Sequence, residues 1–313
     1  MMVKAHAPRN NSGLFRLLLF SFSFLLLGAC KDKDTFDEEG QKVTDQKRIQ
    51  DYLNKNNLTA SQTASGLNYI ITDPGTGSDL KAGDVVSAHY RGFFRNGEEF
   101  DNSFAAGSPF TLRLGAHLPE AIPGFEEGLM LMKSGGKATI FIPSHLAYGR
   151  EGQGSIEPNT ILAFDLELAT PSTIRDIDTR IIQRYFTANN LTTAAPTDSG
   201  AYLVQTAAGT GPLARINDEV AVHYRGKFLS GRVFEETASA SPKILKIGAG
   251  TMPKGFEDGL RKLRPGGKAT LIVPSVIGYG PAGVSTPLPG VNRYLPIPPY
   301  SVLLYEVELV AIR

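Results

Sequence analysis

The chain has 313 residues, 42% of them hydrophobic, and its 32 Lys and Arg nearly balance 31 Asp and Glu, for a formal charge of +1. That length suits two domains of ordinary size, and the absence of a basic stripe interleaved with aromatics excludes a nucleic-acid partner. A single cysteine rules out an internal disulfide, and no His, Cys and carboxylate cluster has metal-ligand spacing, so neither a metal nor a cofactor is expected.

Residues 1–29 carry Lys4, Arg9 and Arg16 but no acid, and Leu14 to Leu27 is almost wholly apolar. The run falls short of the ~20 residues that a membrane span needs and has the layout of an export signal. It resembles a bacterial lipoprotein signal, which implies cleavage after Leu27-Gly28-Ala29 and lipidation of Cys30; an ordinary signal peptide or a buried thiol are the alternatives. Its removal leaves 29 bases against 31 acids. The following stretch, 30–42, is polar and acidic and reads as a flexible tether. The expected location is therefore the bacterial cell envelope, on a membrane facing the periplasm or the exterior.

Two helices are predicted by apolar stripes. Ile49, Tyr52 and Leu53 mark one within 43–65, closed by Asn56-Asn57, and Ile174, Ile177, Ile181 and Tyr185 mark another within 171–198, closed by Asn189-Asn190. They dock on their own domains, join the two, or make a dimer contact. After the first helix come strands at Leu67 to Thr72, Val85 to Phe93 and through Phe100 beyond an Asn96-Gly97 turn, then Phe110 to Leu114. A single helix from Phe125 to Met132 has Phe125, Leu129 and Met132 on one face and stops at Gly135-Gly136. Lys137 to Ile142 and Ile161 to Leu168 close the set.

The whole arrangement occurs twice. G-F-E-E-G-L-M-L-M-K-S-G-G-K-A-T-I-F-I-P-S at 124–144 returns as G-F-E-D-G-L-R-K-L-R-P-G-G-K-A-T-L-I-V-P-S at 255–275, and H-Y-R-G-x-F at 89–94 returns at 223–228. The offset of 131 to 134 residues is one domain, so the chain is a tandem duplication with domains at 66–170 and 199–313. The expected class is α+β, each domain a twisted antiparallel sheet wrapped around one short helix.

Conventional catalysts are missing. His89 and His223 lie in strands and read as structural, and Ser144-His145 is matched by Ser275-Val276, which gives a Ser/His triad no support. Copy one instead gathers Tyr90, Phe100, Phe110, Ile122, Phe125, Tyr148, Ile156 and Phe164 near its turns, as ordinary core or as an apolar cleft. Met130 and Leu131, replaced by Arg261 and Lys262 in copy two, are either an apolar contact or scattered surface residues.

The motifs H-Y-R-G, N-G-E-E-F-D, P-G-F-E-E-G, G-G-K-A-T-I-F-I-P-S and A-Y-G, in this order, resemble the FKBP-type peptidyl-prolyl cis–trans isomerases. The resemblance implies a proline pocket between sheet and helix, with catalytic Tyr90, Phe100, Asp101 and Tyr148. It makes Phe125 the floor, where the family usually has Trp, with Phe110 and Phe164 as further walls and Ile156 at the rim. Ile122 would offer its backbone N–H and Tyr148 its hydroxyl to a substrate carbonyl. The implied partners are proline-containing unfolded or partly folded polypeptides and macrolide inhibitors, the latter weakened by the missing Trp. The implied activity is prolyl isomerisation in the folding of exported proteins; the alternative is a non-enzymatic chaperone or interaction protein.

Copy two keeps Tyr224, Phe234, Phe256 and Tyr279 but has Glu235 for Asp101, Lys243 for Phe110, Pro253 for Ile122 and Tyr305 for Phe164. Proline has no N–H to donate. Its last loop, Gly280 to Pro299, carries six prolines and is expected to cover or fill its own pocket. Copy two is accordingly expected to be weakly active or purely a binding module.

Overall fold

The computed structural model describes residues 36–116, 121–192, 194–238, 240–285 and 296–313. The expected signal segment, Cys30 and the tether as far as residue 35 lie outside them. The first repeat contains α1 (Glu38–Lys55), β1 (Ser61–Gln62), β2 (Asn68–Asp73), β3 (Val85–Phe93), β4 (Glu99–Asn102), α2 (Ser103–Ala106), β5 (Phe110–Arg113), α3 (Pro123–Met130), β6 (Lys137–Ile142) and β7 (Leu162–Leu168). The second contains α4 (Ile174–Ala188), β8 (Ala195–Pro196), β9 (Tyr202–Ala207), β10 (Glu219–Phe228), β11 (Val233–Glu236), β12 (Lys243–Lys246), α5 (Lys254–Leu260), β13 (Lys268–Val273) and β14 (Leu303–Ile312). Every strand pairing is antiparallel.

Each repeat is one seven-stranded sheet. The first runs β1-β2-β6-β7-β3-β4 with β5 also on β3; the second runs β11-β10-β14-β13-β9-β8 with β12 also on β10. Strand alternation sets the faces. In β3, Val86 and Ala88 join the core beneath α3, with Tyr90 packed against it. Ser87 and His89, also buried, are out of register with that set and point to the other face. α3 presents Phe125 and Leu129 to the same core, with Met132 just beyond its end. Gly124 and Gly128 let the helix approach β6 closely, since a Cβ on them would fall 2.4 Å from Ile142 and 2.7 Å from Ile140. Full burial of such apolar side chains is worth roughly 1.5–3 kcal/mol each, and Leu129→Ala would cost about 2–5 kcal/mol.

The predicted stripes place a helix on the back of each sheet. In α1, Ile49 and Leu53 pack with Phe93, Phe141, Ile161 and Ala163. In α4, Ile174, Ile177, Ile181 and Ile182 pack with Ile272, Val302 and Leu304 of the second sheet and also with Ala169 and Phe104 of the first repeat. Thus α1 docks on its own repeat, while α4 docks on its own and also joins the two. Each helix carries one buried aspartate with the same task. Asp45 accepts the Ser144 N–H at 2.8 Å, and Asp178 accepts the Ser275 N–H at 2.8 Å. The repeats also meet directly, through Val302 N–H to Gly107 O at 2.8 Å and Ser108 to Ser301 at 2.9 Å.

Differences from the sequence expectations lie at element ends. α1 begins at Glu38, inside the stretch read as tether, because Glu38 and Glu39 suit the positive end of a helix dipole. α3 stops at Met130 rather than Met132, its last turn tightening at Leu131. The four-residue α2 was not anticipated.

Candidate active site

Tyr90, Phe100, Phe110 and Phe164 come from four different strands and converge on Phe125 of α3. Phe125 stands edge-on to Tyr90 at 5.6 Å, to Phe110 at 6.0 Å and to Phe164 at 5.2 Å, and Phe100 is perpendicular to Phe164 at 5.5 Å. Edge-to-face pairs at such separations are favourable beyond their buried area. The cluster is possible because β3 has no side chain at Gly92. A Cβ there would sit 2.6 Å from Phe100 and 2.9 Å from Phe164. This close approach explains the glycine of H-Y-R-G.

The rings enclose a shallow hollow of about 100 Å³, completed by Asp101, Ala121, Ile122 and Tyr148. Phe125 and Phe164 are buried beneath it, while Asp101 is exposed at its edge. Tyr90 donates its hydroxyl to Asp101 Oδ2 at 2.5 Å, and Asp101 Oδ1 accepts the Asn102 N–H at 2.8 Å. Burial, reinforced by the Asp101 charge, raises both the Tyr90 and the Tyr148 hydroxyls above their usual 10. Both therefore stay protonated and able to donate. Ile122 is the extended residue just before α3, with φ −66° and ψ 145°.

Eight of the nine residues expected in copy one line this hollow. Ile156 does not; it packs against the same core and pairs with Gln153 in an isolated bridge. Ala121 was missed, being a small apolar residue with no sequence signal. His89 is fully buried on the back of β3, stacked on Phe104 at 4.9 Å with Nδ1 3.2 Å from Ser103 Oγ. Burial, aided by the Arg180 charge, lowers it to about 3, so it is neutral and structural. A larger groove of about 850 Å³ crosses the back of the second sheet, but Arg225, Glu236, Lys268, Glu306 and Glu308 make it polar and it lacks a ring cluster. No metal-binding group of acids, His or Cys occurs among the described residues.

The family profile described as FKBP-type peptidyl-prolyl cis-trans isomerase matches residues 77–169 and 211–310. The chain belongs to that family. It is 43% identical over 128 residues to the FKBP-type peptidyl-prolyl cis-trans isomerase FkpA of Aeromonas hydrophila, covering 40% of this chain and 46% of that one. It is 29% identical over 233 residues to human peptidyl-prolyl cis-trans isomerase FKBP9, covering 73% of this chain and 35% of that one. The chain thus spans less than half the length of these curated relatives. Among solved structures, FkpA from Escherichia coli aligns at 36% identity with a TM-score of 0.37, over 42% of this chain and 61% of that one.

The second FKBP repeat builds the same cage and closes it. Tyr224, Phe234, Phe256 and Tyr305 surround Glu235, with ring separations from 4.9 to 6.2 Å, and none of the five is more than 3% exposed. Ile297, near the end of the proline-rich loop, bridges to Val284 and is buried in the same core; residues 286–295 of that loop lie outside the described residues. Pro253 precedes α5 where Ile122 precedes α3. Lys243 extends over the Tyr224 ring at 5.7 Å and Tyr279 packs at the edge of the core. Neither carboxylate oxygen of Glu235 has a hydrogen-bond partner among the described residues. Burial pushes Glu235 from 4.5 up to about 7 against the opposing pull of Lys243.

Proposed function

We propose that the protein is a peptidyl-prolyl cis–trans isomerase acting in the hollow of repeat one on proline-containing, unfolded or partly folded polypeptides. The observation that carries this is a solvent-reachable ring cluster with a Tyr90–Asp101 hydrogen bond at its edge. Amide resonance sets a barrier of roughly 18–20 kcal/mol to rotation, and an uncatalysed Xaa-Pro bond isomerises in tens to hundreds of seconds. A site that favours the twisted bond over the planar one accelerates the reaction tenfold for each ~1.4 kcal/mol. No nucleophile is required.

In this reading Phe125 receives the pyrrolidine ring, with Tyr90, Phe100, Phe110 and Phe164 as walls. These rings exclude water and so disfavour the charge-separated planar amide. The Ile122 N–H and the Tyr148 hydroxyl hold substrate carbonyls, and Asp101 is the charged group next to the twisting bond. Ile156 steers the chain at the outer edge. Phe125 in place of the usual Trp gives a macrolide less contact area and weakens it as an inhibitor.

Repeat two is assigned a non-catalytic role, supported by its inaccessible cage and by Pro253. The experiment is refolding of a proline-limited substrate by the full chain. Phe100→Ala is expected to lower kcat/KM at least tenfold and the near-isosteric Glu235→Gln, confined to the closed cage, to leave it within about twofold. Intact activity in the first variant with loss in the second would reverse the assignment.

We further infer that the folded part, bounded by repeats at 66–170 and 199–313, is held on a membrane of the bacterial envelope by a lipid on Cys30. Support comes from the signal-like sequence before it; among the described residues no helix is long and apolar enough to cross a membrane. Cys30→Ser is expected to move the protein from the detergent-rich to the aqueous phase. An unchanged partition would exclude the anchor.

A further inference from the structure

The two edge residues of the hollow, Asp101 and Phe110, stand on either side of one short segment. Asp101 lies in β4, one residue before its end, Phe110 starts β5, and α2 lies between them. Inside repeat one the hydrogen bonds that hold α2 to β4 and β3 are at its start. The Asn102 side chain accepts the N–H groups of Phe104 and Ala105 at 2.9 and 3.2 Å, and Ser103 Oγ accepts the Tyr90 N–H at 2.7 Å.

Its end is held by the other repeat. Gly107 closes α2 in the left-handed region, at φ 68°, and its carbonyl accepts the Val302 N–H at 2.8 Å. Ser108 Oγ lies 2.9 Å from Ser301 Oγ. Leu229, from the β10–β11 turn, is so close that a Cβ on Gly107 would fall 2.6 Å from it. Phe104 completes the contact, packed with Leu229, Tyr300 and Val302 on one side and stacked on His89 on the other. Ser301 and Val302 are themselves almost wholly buried.

The duplication supplies an internal comparison. In repeat two Ala238 stands where repeat one has Phe104, and it lines an open groove rather than a packed contact. The described residues of the corresponding stretch, 237–241, form no helix. A helix at this position thus goes with the neighbour that holds it.

We propose that repeat two braces the reacting hollow of repeat one, with Leu229 and Ser301 as positioning residues that act through α2 on Asp101 and Phe110. This rests on the reading of that hollow as the isomerase site. It gives the second repeat, whose own cage is closed, a part in the reaction without contact with substrate.

The test uses the full chain and three variants: Leu229→Ala, Ser301→Ala and the conservative Leu229→Ile. Three measurements are made: kinetics (kcat and KM) on a short Xaa-Pro peptide, amide hydrogen exchange at residues 103–108, and urea unfolding. Misplacing a reacting group by about 1 Å can cost up to a hundredfold in rate. Leu229→Ala is expected to lower kcat about tenfold with KM changed less, and to quicken exchange at 103–108 while β6 and β7 stay protected. Leu229→Ile should restore both, and Ser301→Ala, the milder change, should act in the same direction if Leu229→Ala does not fold. Unchanged kcat with quickened exchange would overturn the proposal, as would unchanged exchange. An inactive wild type would instead sink the reading of the hollow, and the exchange data would still decide whether the brace exists.

Discussion

At the scale of single residues, Gly92 is where backbone and site meet. It lies in β3 opposite Phe164, and the missing side chain is the space into which Phe100 and Phe164 lean. Gly92→Ala is expected to drive those rings apart, lowering kcat/KM about tenfold and stability by about 1–3 kcal/mol, as over-packing of a filled site does. Peptide kinetics and urea unfolding check this; wild-type kinetics would show that the rings tolerate the methyl. The glycine was visible in both copies of the motif, but its reason was not, because no one-dimensional pattern says which side chains cross over a strand. Asp101 became legible only through the family resemblance, since a lone exposed acid after an Asn-Gly turn has no spacing signal. The Tyr90–Asp101 bond joins residues 11 apart on paired strands, so it needed the register as well as the sequence.

At the scale of elements, the short β11 has a different character from its counterpart β4. β4 leaves Asp101 exposed, whereas β11 delivers Glu235 into a closed ring cage. The titratable groups facing it are Tyr224 on β10, Lys243 on β12 and Tyr305 on β14, with Tyr279 beside the two tyrosines. With its folded value raised from 4.5 to about 7, Glu235 binds its proton more tightly folded than unfolded. Its contribution is complete below pH 4.5 and is lost as pH rises through 7, by about 3 kcal/mol at most. Asp178, raised by burial to about 6, acts with the same sign. His89, lowered to about 3, acts oppositely, its stabilisation lost as pH falls below 6.5. Glu235→Gln is expected to match wild type near pH 4.5 and exceed its stability at pH 8, measured by urea unfolding across that range. Parallel profiles would contradict the buried acid, since Asp178 and His89 remain in both proteins. The strands and α3 were readable from period and turn residues. The buried helix acids were not, because Asp45 and Asp178 look in sequence like ordinary surface acids, whereas Glu235 was placed in the second pocket by its match to Asp101.

At the scale of the whole molecule, the duplication was the most readable property, and the way the copies meet was the least. The spacing of 131 to 134 residues gives two equal units, yet nothing periodic marks Gly107, Ser108 or Leu229 as a contact. The one hint was in α4, whose buried residues, Ile174, Ile177, Asp178, Ile181 and Ile182, make a wider face than the one α1 presents to its sheet. In α1 the buried residues are only Asp45, Ile49 and Leu53. Divergence of the copies is equally a property of the whole. One cage is open at its edge, where Asp101 is exposed, while in the other Tyr305 and Ile297 are buried core.

That shared helix ties the fates of the halves together. Because α4 packs on the second sheet and also on Phe104 and Ala169 of the first repeat, neither half can melt without stripping apolar surface from the other, and the chain should come apart in one cooperative step. A peptide seated beside Phe125 would then lend its binding energy to the distant half as well, and a single calorimetric peak would move upward as a unit.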